Sequence, residues 1–284
     1  VNCRALLADA GRRLTDAGVD SPRVDAELLL ASVLGLSRAG LLTLDDVPGD
    51  AVARFAALLE QRADRVPLQH LTGRAPFRFL ELAVGPGVFV PRPETEQLAG
   101  WAIERLAGSV SPSVVDLGSG SGALALSIAQ EVPSAAVIAV ERDPGAIEWT
   151  RHNAAARAAA GDTRVEVLSG DMTDPGLLRE LDGAVDVVVS NPPYVPDGAR
   201  VPREVADHDP PLALWGGPDG LDVVRGLLVT AARLLRPGGW LGIEHADQQG
   251  SALPALVRAH GQFTDVLDHP DLAGRPRFTT ARRT

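Results

Sequence analysis

The run Val185-Asp186-Val187-Val188-Val189-Ser190 stops at Asn191-Pro192-Pro193-Tyr194, and this boundary narrows the fold more than any other stretch. Apolar, β-branched residues in succession suit a strand covered on both faces, as in a parallel sheet flanked by helices. In an open α/β sheet ligands sit at the carboxyl ends of strands, so the tetrapeptide stands where chemistry is expected. Pro192 and Pro193 fix φ near about −65° and remove two backbone donors, while their carbonyls stay able to accept. Asn191 adds a side-chain carbonyl, and Tyr194 a flat ring with a hydroxyl. Together these groups suit a planar NH₂ group. A strand stop followed by a turn would carry the same residues, so the choice needs a second site.

Val114-Val115-Asp116-Leu117-Gly118-Ser119-Gly120-Ser121-Gly122 is a short apolar strand running into a glycine turn, with a helix predicted over 123–130. Gly118, Gly120 and Gly122 permit tight backbone geometry and close approach of a ligand. The next strand, 136–140, leads to Glu141, whose carboxylate can accept from both hydroxyls of a ribose. Such a pair serves a nicotinamide dinucleotide or S-adenosylmethionine equally well. Asp116 separates them: a carboxylate just ahead of the glycines disfavours a pyrophosphate on the helix N-terminus and attracts the cationic methionine part of S-adenosylmethionine. A strand-end cap is the alternative role for Asp116. Beyond the third strand, Val165 to Leu168, Asp171 can accept from an adenine amino group or cap its own loop.

Joined in order, the two sites resemble the Asn-Pro-Pro-Tyr class of S-adenosylmethionine-dependent amino-methyltransferases, which act on adenine or cytosine in DNA or on glutamine in protein. A longer resemblance chooses between these substrates. Phe89-Val90-Pro91-Arg92-Pro93-Glu94-Thr95-Glu96, preceded by Pro67-Leu68-Gln69-His70-Leu71-Thr72-Gly73, looks like the signature of the HemK/PrmC family of peptide chain release factor glutamine methyltransferases. The resemblance implies an α/β fold: a Rossmann-like methyltransferase domain over 91–284 with a mostly parallel seven-stranded sheet. A small helical substrate-docking domain over 1–70 and a hairpin linker over 71–90 would precede it. It implies methyl transfer to the glutamine of a Gly-Gly-Gln motif in class-1 release factors. Asp116, Gly118, Gly120, Gly122, Glu141, Asp171, Met172 and Asn191 would hold the cofactor. Phe89, Pro91, Asn191, Pro192, Pro193 and Tyr194 would receive the glutamine, with Asn191, Pro192 and Tyr194 catalytic. Arg92, Glu94 and Glu96 would fix loop geometry. Pro76 stands where a glutamate is common in the family.

Composition bears on the rivals. The formal net charge is −10, and all 27 Lys and Arg positions are arginine, so nothing advertises general attraction to a DNA backbone. A DNA adenine or cytosine amino-methyltransferase, using the same loop on a flipped base, is the alternative reading and would need a basic target-recognition region. A dinucleotide oxidoreductase leaves the Asn191 to Tyr194 group without a task, and a silent binding module would use the glycine loop for structure alone. The single cysteine, Cys3, excludes an intrachain disulfide and a thiolate cluster, and the six histidines show no metal-ligand spacing. No secretion signal or membrane-length apolar run is read, so a cytoplasmic, monomeric protein without membrane or DNA partners is expected.

Three helices are predicted over 1–70, then two short strands over 65–90 and a helix from Pro93 past Leu106. A further helix over 144–160 carries Asn153, expected at the surface or as a local cap. Asp207-His208-Asp209 reads as a solvated loop. Pro237-Gly238-Gly239 should stop the helix of Leu221 to Leu235, with a strand over 240–245 whose Glu244 and His245 read as structural strand-end polar groups, and a closing strand over 277–281.

Overall fold

The computed structural model describes residues 1–284. Four helices come first: α1 (Cys3–Asp16), α2 (Pro22–Leu34), α3 (Gly49–Ala63) and α4 (Leu68–Thr72). The hairpin β1 (Arg74–Phe77) and β2 (Leu80–Ala83) leads to α5 (Thr95–Leu106). Strand and helix then alternate through β3 (Ser113–Leu117), α6 (Ala123–Glu131), β4 (Ala136–Glu141), α7 (Pro144–Ala159), β5 (Glu166–Ser169) and β6 (Val185–Ser190). Two short helices, α8 (Arg203–His208) and α9 (Pro211–Leu214), precede α10 (Asp222–Leu234), β7 (Leu235–Glu244), α11 (Ala252–Ala259), β8 (Phe263–Pro270) and β9 (Pro276–Arg283).

Contacts divide the chain into two units. One comprises Val1–Arg74, Val84–Pro86 and Val201–His208, the other Ala75–Ala83, Gly87–Arg200 and Asp209–Thr284. In the first, Leu14, Leu29, Leu30, Phe55 and Leu59 from α1, α2 and α3 form a closed apolar core. Pro22 opens α2, where its missing N–H costs nothing, and Gly35 ends it in the left-handed conformation at φ 65°. Buried Arg62 of α3 donates to Asp25 Oδ2 at 2.8 Å, to Glu204 Oε2 of α8 at 2.8 Å and to Val66 O at 2.9 Å. Its charge is therefore paired on two sides, the condition under which a buried ion is tolerated.

The second unit is built on a seven-stranded sheet in the order β5-β4-β3-β6-β7-β9-β8. The first five strands run parallel, and β9 is antiparallel to both β7 and β8. Valine on both sides of β6 has a direct use: Val185 and Val188 join the core on one face, Val187 and Val189 the core on the other. From β3 the chain winds outward through β4 and β5, then returns to place β6 on the other side of β3. The strand order reverses there, which opens a crevice at the carboxyl ends of β3 and β6.

Three expectations change. Pro237-Gly238-Gly239 does not stop α10, which ends at Leu234; these residues lie within β7, where the register with β6 shifts between Val185 and Val187. Proline and glycine fit a bulge as well as a helix stop. Asp209 is not solvated: it is buried and pairs with Arg92 Nη2 at 3.1 Å. Asn153 is 3% exposed. Its Oδ1 accepts from Ala83 N at 2.8 Å, and its Nδ2 donates to Ala83 O and Ser121 O, both at 2.9 Å. One amide thus ties α7 to the hairpin and to the glycine turn. Asn153→Ala strands one buried and two half-buried backbone groups, and a loss of about 2 to 4 kcal/mol is expected in urea denaturation, with the transition slope unchanged.

Candidate active site

The glycine turn closes β3 with φ of 83°, 56° and 87° at Gly118, Gly120 and Gly122, values that only glycine adopts without strain. The three glycines differ in what lies beside them. A Cβ at Gly118 would stand 2.5 Å from Met172 Cε, and one at Gly122 would stand 2.9 Å from Leu126 Cδ1, so both are packed against protein. A Cβ at Gly120 meets nothing within 4 Å. That open side is where a ligand can reach the backbone. Thr150 holds the turn from behind, its hydroxyl donating to Gly120 O at 2.6 Å.

Asp116, at the penultimate position of β3, is fully buried. Its Oδ2 accepts from Ala125 N at 3.1 Å, which caps α6, while Oδ1 has no donor at all. Burial pushes the carboxyl up to about 7, against the pull of the Ala125 N–H, and the negative charge of Glu141 adds to the rise. A buried carboxylate with an empty acceptor is stabilised by a cation placed nearby and destabilised by a pyrophosphate. Glu141, ending β4, accepts from Gly120 N at 2.9 Å through Oε2 and from Arg142 N and Asp143 N through Oε1. Three of its roughly four acceptor positions are thereby taken. The position left free is on Oε2, where a ribose hydroxyl can donate without displacing any of these contacts.

Asp171 caps its own loop. Its Oδ1 accepts from Thr173 N at 2.8 Å and Thr173 Oγ1 at 2.7 Å, and its Oδ2 from Arg142 at 3.1 Å. Burial raises its pKa, but these donors outweigh it and hold the carboxyl below the usual range. Met172, the only methionine, is buried beside Gly118.

Across the crevice the Asn191 loop continues from β6. Pro192 and Pro193 are buried, Asn191 and Tyr194 half-buried. The loop is laced to the turn at 214–220: Val195 N donates to Leu214 O at 2.8 Å, and Gly216 N to Val195 O at 2.9 Å. Gly216 and Gly220 are glycine because a Cβ would stand 2.6 Å from Pro193 O and 2.2 Å from Tyr194 O respectively. Gln249 donates to Tyr194 O at 3.0 Å. Asn191 Nδ2 donates to Thr95 Oγ1 at 3.2 Å, and no protein donor reaches Asn191 Oδ1 or Pro192 O. Phe89 is half-buried under the Arg92 guanidinium, 4.9 Å from its ring centroid, and Pro91 is likewise half-buried.

Comparisons with known proteins identify the family. Family models for the PrmC N-terminal domain and the methyltransferase small domain match residues 5–73 and 81–207. The chain is 52% identical to a release factor glutamine methyltransferase of Mycolicibacterium smegmatis over 99% of this chain and 97% of the relative. It is also 52% identical to that of Streptomyces coelicolor, over 98% of this chain and 97% of the relative. This chain belongs to the release factor glutamine methyltransferase family. The catalytic domain of hMettl16, solved in complex with an RNA hairpin, shares the fold at a TM-score of 0.55, with 15% identity over 85% of this chain and 84% of that one.

The family's methyltransferase fold brings every candidate cofactor and substrate residue into the one unit of Gly87–Arg200 and Asp209–Thr284. S-adenosylmethionine fits the residues present: the orphaned Asp116 oxygen, the open side of Gly120 and the Glu141 carboxylate suit its cation, its backbone approach and its ribose. Thr150, Asn153, Gln249, Gly216 and Gly220 were not legible as site supports, because each acts through a partner 30 or more residues distant or through a close backbone approach. A groove of about 680 Å³ lined by Trp101, Trp240, His269 and Phe278 contains none of the candidate site residues. No helix is long and apolar enough to cross a membrane, and no group of three His, Cys, Asp or Glu side chains is placed to hold a metal.

Asp116 supplies a test with a defined sign. Its folded pKa of about 7 lies above the usual aspartate value, so stability is lost as pH rises from about 4 to about 7 and is level above that. Asp116→Asn removes this slope. Thermal melts of the two proteins should converge or cross in favour of the variant between about pH 5 and pH 8, while calorimetry shows S-adenosylmethionine binding weakened at least about tenfold. A nicotinamide dinucleotide should give no heat with either.

Proposed function

We infer that this chain transfers a methyl group from S-adenosylmethionine to the side-chain amide nitrogen of the glutamine in the Gly-Gly-Gln motif of class-1 release factors. The observation that carries this reading is the pair of undonated acceptors, Asn191 Oδ1 and Pro192 O, on one rigid loop. A primary amide offers two N–H groups in one plane, and the pair takes one each. An amide nitrogen is a poor nucleophile because its lone pair is delocalised into the carbonyl. Holding both N–H groups fixes the nitrogen in direction and leaves the lone pair normal to the amide plane as the one way to react. Bonds to a nitrogen that is becoming positive strengthen as charge develops, each contributing about 1.5 to 3 kcal/mol. S-adenosylmethionine supplies the electrophilic methyl on its sulfonium.

Tyr194 flanks the amide with its ring. Burial, with Glu244 beside it, pushes its phenol above the usual range, so the hydroxyl stays neutral and adds no negative charge to the loop. No dedicated base is required, since methylation makes the amide nitrogen more acidic. Phe89 and Pro91 wall the opening, and Arg92, held between the Phe89 ring and Asp209, fixes that wall. We assign the helical unit a role in docking the release factor, which explains why a domain with its own closed core accompanies the methyltransferase fold.

Incubation of intact release factor with enzyme and S-adenosylmethionine should add the mass of one methyl group on the Gly-Gly-Gln peptide, with no transfer to double-stranded DNA; transfer to DNA alone reverses the reading. Asn191→Ala removes one acceptor and leaves Asp116 and Glu141 untouched. Its single-turnover rate should fall roughly ten- to two-hundred-fold, equivalent to about 1.5 to 3 kcal/mol, with cofactor affinity little changed. A loop that merely ends a strand predicts lower thermal stability and near-normal transfer.

A further inference from the structure

An asparagine side chain has nearly the same shape whichever way round its amide lies, so its function depends on what fixes the orientation. Only with Nδ2 turned inward does Asn191 present an acceptor to the incoming glutamine. The sheet register puts the determining group next to it. Ser190 pairs with Ile243, so the following residues, Asn191 and Glu244, stand side by side at the carboxyl ends of β6 and β7. Glu244 is 1% exposed, and its Oε2 has no hydrogen-bond partner. Thr95, first residue of α5 and itself buried, and Asn191 both lie close enough to the Glu244 carboxyl to favour its ionised form. Thr95 Oγ1 also receives Asn191 Nδ2 at 3.2 Å.

We propose that Glu244 and Thr95 are positioning residues that set the orientation of the Asn191 amide, with ionised Glu244 enforcing the productive one. A carboxylate accepts only, so the Thr95 hydroxyl donates to it. The hydroxyl oxygen is then left to accept from Asn191 Nδ2, and Asn191 Oδ1 faces the substrate. A neutral carboxylic acid can donate to Thr95 instead. The hydroxyl proton then turns toward Asn191, whose Oδ1 swings inward to meet it and whose Nδ2 faces the glutamine, donor against donor. The structure supports a switch of this kind within the working range. Burial pushes Glu244 up to about 7, opposed by Thr95, by Arg277 of β9 and by Asn191, and reinforced by Glu94 ahead of α5. Tyr194 also faces Glu244, and Arg277 is itself held by Asp271 at 3.3 Å. This inference rests on the proposed role of Asn191 in methyl transfer.

The experiment has two arms. In the first, kcat and KM for release factor are measured across pH for wild type, Glu244→Gln, Thr95→Ser and Thr95→Val. Wild-type kcat should rise through about pH 7 and level off, because the ionised form is the productive one. Glu244→Gln should lie roughly tenfold to a hundredfold below that plateau at every pH and lose the acid limb. Thr95→Ser keeps the hydroxyl and should restore both rate and limb, whereas Thr95→Val should not; cofactor affinity stays constant throughout. The second arm uses no substrate. The chain has three asparagines, Asn2, Asn153 and Asn191, so ¹⁵N-asparagine labelling gives three side-chain amide pairs, with Asn191 identified by its loss in Asn191→Ala. Its amide protons should exchange slowly in wild type and Thr95→Ser and fast in Thr95→Val. If wild type fails to methylate release factor while the exchange pattern holds, the proposed function falls and the positioning stands. Equal kcat and equal exchange in Thr95→Ser and Thr95→Val, or an unchanged acid limb in Glu244→Gln, overturns the positioning role.

Discussion

Parallel pairing of β3 with β6 is the constraint on which the rest of this structure depends. The register Val114 with Val187, Val115 with Val188 and Asp116 with Val189 sets the two loops that leave these strands on the same edge of the sheet. They are separated by about seventy residues of sequence. Parallel strands demand crossovers, and the crossovers supply the helices that cover both faces. Because the winding reverses at this pair, no crossover blocks the carboxyl edge, and a ligand can lie against both loops at once.

Polar side chains buried at that edge are costly to stability, and their arrangement shows what the cost serves. Asp116, next to last in β3, and Glu244, last in β7, stand on the two strands that flank β6, and each keeps one oxygen without a donor. An apolar residue at either place would pack without penalty. Arg62 shows the opposite arrangement: its buried guanidinium is paired by two carboxylates, Asp25 and Glu204. Buried charges that are fully paired hold elements together, whereas buried charges left incomplete await a partner or control a neighbour.

The Asn191 loop depends on distant residues for its shape. Gly216 and Gly220 let the backbone approach Pro193 and Tyr194, and Gln249 fixes the Tyr194 carbonyl. Proline stiffens the loop but cannot anchor it, since it has no N–H to donate. The anchoring donors therefore come from other segments. His245, fully buried, is bonded to Ala246 O and to Asp268 Oδ1.

Much of the fold was legible from local pattern. Valine runs mark buried strands, Asp-Leu-Gly-Ser-Gly-Ser-Gly marks a strand turning into a helix, and Asn-Pro-Pro-Tyr marks a rigid acceptor loop, because each is dictated by backbone sterics and hydrogen-bonding capacity within a few residues. What local pattern misjudged were Asn153, Asp209 and Pro237 to Gly239, all polar or flexible residues whose sequence neighbours look like surface. Their burial follows from partners far along the chain: Ala83 and Ser121 for Asn153, Arg92 for Asp209, β6 for the bulge in β7. The sequence by itself determined where acceptors suited to an amide and carboxylates suited to a cation stand along the chain, since that is a matter of side-chain chemistry. Only the tertiary structure decided that Thr95 and Glu244 stand against Asn191, because a hydrogen bond to a group 96 residues away and a register neighbour 53 residues away exist only once the sheet and α5 have brought them together.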